Sequence, residues 1–196
     1  MTFEILTALA IFAFVSSITP GPNNLMLMSS GANFGFKLTL PHMLGVAVGF
    51  TLMIVLVGLG VIQIFDQFPV SYDILKTCSI AYLLYLAFKI ATSKGIDSNT
   101  NDRTKPFTFM QAALFQWVNP KAWTMALTAI SVYAPSKSLT AVLFVALVFG
   151  LINLPCICSW VGLGQKIRRF LTTNNRLKVF NYSMAALLVV SIVPAL

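Results

Sequence analysis

Acidic residues are scarce in this chain. It has five Asp and Glu among 196 residues, one histidine and three cysteines, and only 9% of its residues are charged. A soluble domain carries about 25% charged residues, so an ordinary globular fold in water is excluded. The 58% hydrophobic content excludes disorder and collagen-like order as well. With so few acids, and those dispersed, acid–base hydrolysis has no candidate constellation. Cys78, Cys156 and Cys158 have no metal-ligand spacing, and Cys-x-Cys on a helix is poor disulfide geometry, so apolar filler is their default role. Walker, Rossmann, zincin and nucleophile-elbow motifs are missing, and no cofactor or metal is expected.

What remains is apolar and basic. Thirteen Lys and Arg give a net charge of +8, which in a soluble protein would suggest nucleic acid. In an apolar chain the same excess marks cytoplasmic membrane loops, so the expected partner is lipid and not nucleic acid. Six segments are nearly free of charge: Ile5–Phe36, Leu38–Phe65, Ile74–Ala91, Pro106–Ser136, Ser138–Gln165 and Val179–Leu196. At about 1.5 Å per residue each can cross about 27 Å or more of hydrocarbon, and without water each must be helical. The expected fold is an all-α integral membrane protein of six transmembrane helices. It forms one membrane domain over 1–196, with halves at about 1–92 and 106–196 and a polar linker at about 93–105.

Orientation follows from the basic residues. Lys37, Lys89, Lys94, Arg103, Lys105, Lys166, Arg168, Arg169, Arg176 and Lys178 fall on one side, and Lys76 and Lys137 on the other. Asp66 and Asp73 share the sparse side. Both termini are therefore expected outside the cytoplasm. Tyr72, Tyr133 and Trp160 fall near span ends, where aromatic belts lie. The N-terminus lacks a basic region and runs into proline instead of a cleavage site, so it is expected to be a retained span.

The helix breakers carry the functional signal. Span one holds Thr19-Pro20-Gly21-Pro22-Asn23-Asn24, and span four holds Gln116-Trp117-Val118-Asn119-Pro120-Lys121. Proline removes a donor and clashes with the preceding turn, so both spans should unwind locally. Unwound backbone at that depth survives only against protein or a water-filled cavity. Pro20 and Pro120 lie 100 residues apart in corresponding spans, and Tyr82 and Tyr182 repeat that offset. Halves of three spans enter from opposite sides, which gives the 3+3 inverted repeat of secondary transporters, with a binding site at the interrupted first and fourth helices. Ordinary proline kinks are the plain alternative.

Lys121 sits about halfway along span four, where a cation costs roughly 2.5–3.5 kcal/mol. No Asp or Glu lies inside any span, so its counterpart is backbone carbonyls, water or an incoming carboxylate. Either Lys121 meets substrate, the role favoured, or it bonds freed carbonyls and holds the kink. The substrate-binding set expected is Thr19, Pro20, Gly21, Pro22, Asn23, Asn24, Asn119, Pro120, Lys121 and Asn153. Asn153 precedes Pro155 in span five and borders the same cavity or a packing kink. Gly45 and Gly49 fit small-xxx-small helix packing. His42 is read first as an interfacial residue, with proton transfer as the alternative. Trp117 and Trp123 flank the break, and either wall a cavity or face lipid.

Thr19-Pro20-Gly21-Pro22-Asn23, the glycine-bearing second span, Ala81-Tyr82-Leu83-Leu84-Tyr85-Leu86 and Asn119-Pro120-Lys121 together resemble the lysine-exporter (LysE/RhtB) family of bacterial amino-acid efflux proteins. The resemblance covers essentially the whole chain. It implies a non-enzymatic exporter of amino acids or their derivatives across the bacterial inner membrane, driven by the proton gradient. Thr19 to Asn24 and Phe88-Lys89-Ile90-Ala91-Thr92-Ser93 look most like the cysteine/O-acetylserine branch. A lysine without an intramembrane carboxylate suits a zwitterion's carboxylate, so the expected substrate is a small neutral or polar amino acid. A thiol redox conduit and a passive channel or assembly subunit stay open as alternatives, and so does a homo-oligomer.

Overall fold

The computed structural model describes residues 2–61, 63, 67–68, 70–93, 105–134, 136 and 138–191. Asp66, Lys94, Arg103, Lys137 and most of the 93–105 linker lie outside the described residues, as does the side chain of Tyr72. Among the described residues every regular element is a helix: α1 (Phe3–Ile18), α2 (Pro22–Gly58), α3 (Val70–Ala91), α4 (Phe109–Val118), α5 (Pro120–Tyr133), α6 (Leu139–Arg168) and α7 (Asn174–Val190). Pro22–Gly58, Asp73–Ala91 and Leu139–Arg168 are each long and apolar enough to cross a bilayer. Large apolar side chains such as Leu44, Leu84, Phe88, Leu147 and Leu151 lie exposed, as on a surface that meets acyl chains.

The helix starts are chemically marked. The hydroxyls of Thr2, Thr108, Ser138 and Thr173 each accept a hydrogen bond from the backbone N–H three residues on. At Thr108 the Gln111 side chain returns the bond, completing a capping box. These caps satisfy orphan amides that lipid cannot.

α2 departs from the expected loop around Lys37. Its 37 residues would make a straight rod of about 55 Å, yet Gly35 inside it has φ 78° and ψ 172°. Only glycine takes that conformation without strain. Ser30 and His42 would stand about 18 Å apart on a straight helix, but Ser30 Oγ and His42 Nδ1 are 3.3 Å apart. The chain therefore doubles back at Gly35, and one residue does the work of the predicted loop. The returning arm ends at Gly58, short of the expected Phe65. This reversal packs His42 inside the protein. It is fully buried, with its ring 5.1 Å from that of Phe107.

Apolar side chains gain little by leaving lipid, so close packing and polar contacts must hold the helices together. Small residues supply the approach. Gly31 of α2 lies against the Val161 carbonyl of α6, and Gly164 of α6 against the Met28 carbonyl, with no room for a Cβ at either. Gly45 and Gly49 pack on α4 at the Phe109 carbonyl, Ala112 and Ala113, as small-xxx-small predicts. Tyr133 of α5 reaches Ala8 O at 3.4 Å. Tyr82 stacks on Tyr85 and lies 5.9 Å from the Phe115 ring, whereas Tyr182 is exposed, so this offset pair shares no environment.

Candidate functional site

Each interruption ends one helix and starts the next on a proline. α1 stops at Ile18; Thr19 and Gly21 are extended, and Pro22 opens α2. α4 stops at Val118, Asn119 alone is extended, and Pro120 opens α5. Proline suits the first helical position because its missing N–H would be orphaned there in any case. Each new helix turns its positive dipole end toward the break.

Losing proline donors and a turn of helix frees carbonyls, and several of them have specific side-chain partners. Asn24 Nδ2 donates to Ser17 O at 2.7 Å and Thr19 O at 2.9 Å. Trp160 Nε1 donates to Ile18 O at 3.2 Å, the carbonyl that Pro22 cannot serve. Trp160, expected near a span end, thus bonds to the first break. In the second break Asn119 Oδ1 accepts from Lys121 N at 3.1 Å, and Trp123 Nε1 takes the Trp117 carbonyl at 2.8 Å. Trp123 and Trp117 meet edge-on, 5.8 Å between centroids.

Two bridges join the breaks. Lys121 Nζ crosses from α5 and donates to Thr19 O at 2.7 Å and Pro20 O at 3.4 Å. Asn23 and Gln116 exchange amide hydrogen bonds of 2.8 and 3.2 Å. Gly21 makes the lysine crossing feasible. A Cβ there would stand 2.8 Å from Lys121 Cδ and 3.2 Å from its Nζ. Of the two roles weighed for Lys121, the carbonyl bond is present in this structure. The acidic residues among those described, Glu4 and Asp73, sit in the first turns of α1 and α3 and leave the ammonium without a carboxylate.

The bridged breaks border two hollows. An interior cavity of about 30 Å³ holds roughly two waters. It is edged by Ser17, Gly21, Asn23, Asn24, Lys121 and Asn153. A larger hollow of about 390 Å³ lies beyond, between Pro20, Gly21, Pro22, Pro120, Lys121 and Ser191. Lys121 and Gly21 border both. All ten predicted site residues fall at the breaks or on these walls.

Sequence reasoning missed Ser17 and Gln116 as site residues. Ser17 Oγ is buried with no hydrogen-bond partner among the described residues and lies at the interior cavity. Gln116 is fully buried, and its amide also donates to Ala112 O. The available signal was a polar side chain one turn before a proline break, at each of the two sites. Cys78, Cys156 and Cys158 are free thiols, the first on α3 and the others on α6.

The family model described as LysE type translocator matches residues 14–192. A cysteine/O-acetylserine efflux protein of Salmonella choleraesuis (strain SC-B67) is 30% identical over 174 residues, covering 86% of this chain and 87% of that protein. Its counterpart from Escherichia coli O1:K1 / APEC is 29% identical over 194 residues, 96% of each chain. No solved structure matches. The match spans both breaks and the lysine that joins them: the chain belongs to the LysE type translocator family.

Proposed function

We propose that this protein exports small neutral amino acids, cysteine and O-acetylserine first among them, across the bacterial inner membrane by alternating access. The observation that carries the reading is the Lys121 ammonium, held on the Thr19 and Pro20 carbonyls across two broken helices with no carboxylate beside it among the described residues. Six spans are counted by pairing α1 with the first arm of α2, and α4 with α5. The returning arm of α2, α3, α6 and α7 supply the other four. On this count the halves form a 3+3 inverted repeat with both termini periplasmic.

The cargo carboxylate replaces the carbonyls as the partner of Lys121, supported by the positive ends of α2 and α5. Its amine finds acceptors in Ser17 Oγ and the Asn23, Asn119 and Asn153 side chains. When Lys121 leaves the carbonyls, the interior cavity opens to the larger hollow. That hollow reaches Ser191 at the far end of α7, the release side under this orientation. An inward proton gradient drives the cycle.

Counterflow in proteoliposomes tests the proposal. Saturable exchange of cysteine, O-acetylserine and other small neutral amino acids, lost with a protonophore when gradient-driven, is expected. Non-saturable flux of all small solutes would make the protein a channel. Activity that vanishes when the three cysteines are replaced would make it a thiol conduit.

A further inference from the structure

A second polar cavity, of about 20 Å³, lies at the end of the bundle that carries the basic residues. Its walls include Ser29 and Ser30 of α2, Lys89 and Ser93 at the end of α3, and Lys105 and Phe107 ahead of α4. Every charged side chain on these walls is cationic. Lys89 Nζ stands 4.4 Å from the centre of the Phe107 ring, a contact that positions the ammonium without neutralising it. Asn33 and Asn181 pair with hydrogen bonds of 2.8 and 3.2 Å, and the wall residue Ser93 adds a bond from its Oγ to Asn33 Oδ1 at 3.2 Å. This network fastens α2, α7 and the end of α3 together.

Behind the wall stands His42. Its Nδ1 faces the Ser30 hydroxyl, and its Nε2 is buried with no partner among the described residues. A buried polar atom without a partner is costly, so a histidine here is a poor choice for packing alone. Its value lies in the Ser30 hydroxyl, the group it can orient. If Nδ1–H donates to Ser30 Oγ, the serine proton is left to point into the cavity, and Nε2 keeps only a lone pair. The cavity then offers two ammonium groups and oriented hydroxyl donors, a set suited to a carboxylate.

We propose that this cavity is a receiving site for the carboxylate of the amino-acid cargo before it reaches the broken helices. The inference rests on the export reading above. Ser30 is seven residues from Asn23 along α2, a rise of about 10 Å. A cargo molecule passed over that distance exchanges Lys89 and Lys105 for Lys121 and keeps its carboxylate against an amine throughout. Lys89 and Lys105 supply the charge, Ser29 and Ser30 the donors, and His42 acts as a positioning residue through Ser30. No covalent or redox step is involved.

The experiment compares wild type with a Lys89→Gln/Lys105→Gln double variant in vesicles of both orientations, using labelled O-acetylserine. The expected result is a KM raised about tenfold from the cytoplasmic face, a maximal rate within about twofold of wild type, and an unchanged KM from the other face. An unchanged KM at the cytoplasmic face, or an equal rise at both faces, would overturn the proposal, since a structural role is not sided. A second arm measures O-acetylserine binding to solubilised Lys121→Met protein, whose central site is disabled. Residual binding that disappears on adding Lys89→Gln/Lys105→Gln supports the receiving site, and binding indifferent to those changes refutes it. If wild type shows no saturable transport while the binding arm succeeds, the export reading fails and the cavity assignment stands.

Discussion

The two breaks share a proline start but solve opposite problems. The first spreads over Thr19, Pro20 and Gly21, and its helix cap, Gly21, offers no side chain. Its carbonyls are served from elsewhere: Asn24, Trp160 of α6 and Lys121 of α5. The second occupies Asn119 alone, which caps the following helix through Lys121 N, while the Lys121 side chain, two residues on, reaches outward. One break is rich in acceptors and the other supplies the cation. The bridge between carbonyls and cation therefore needs both breaks, and each half of the chain supplies one side of it.

Gly21→Ala is expected to break this complementarity from the acceptor side. The backbone at residue 21 is extended, so alanine fits the chain, but its methyl would stand 2.8 Å from Lys121 Cδ and push a flexible side chain off its carbonyls. Transport should fall about tenfold, a barrier change of about 1.4 kcal/mol, while the melting temperature in detergent stays close to wild type. A large loss of stability without displacement of Lys121 would show that the first break depends on packing instead. Asn119→Ala should act on the second break. It removes the cap on Lys121 N and should cost about 1 kcal/mol by thermal or denaturant unfolding in detergent. The smallest effect is expected across the breaks. An Asn23→Ala/Gln116→Ala double-mutant cycle should return a coupling of about 0.6 kcal/mol, typical of interhelical hydrogen bonds in membrane proteins. Zero coupling would mean the amide pair adds nothing to the union of the halves.

The breaks were legible because proline and glycine act locally. Pro20, Pro22 and Pro120 remove donors wherever the chain goes, and a lysine in an oily run attracts notice on its own. Gly35 was not legible as a reversal. Nothing distinguishes it from the chain's other glycines until φ is known, and the nearby Lys37 suggested a conventional loop. The burial of His42 was hidden for the same reason, since it follows from the reversal. Trp160 was placed near a span end by position alone, and its bond to Ile18 O spans 142 residues of sequence. The Asn33–Asn181 pair spans 148. Such contacts depend on which helices become neighbours, and an isolated asparagine in an apolar run does not reveal that.

Transport by Lys121→Met, reconstituted at the same density as wild type and measured by cysteine and O-acetylserine counterflow, tests the joined-break site most directly. If the cargo carboxylate docks on Lys121, counterflow should be lost by about a hundredfold or more while the protein remains folded and inserted. Lys121→Arg should retain part of it through the preserved charge. Counterflow at the wild-type rate in folded Lys121→Met protein would contradict the assignment and leave this lysine as a brace for the broken helices.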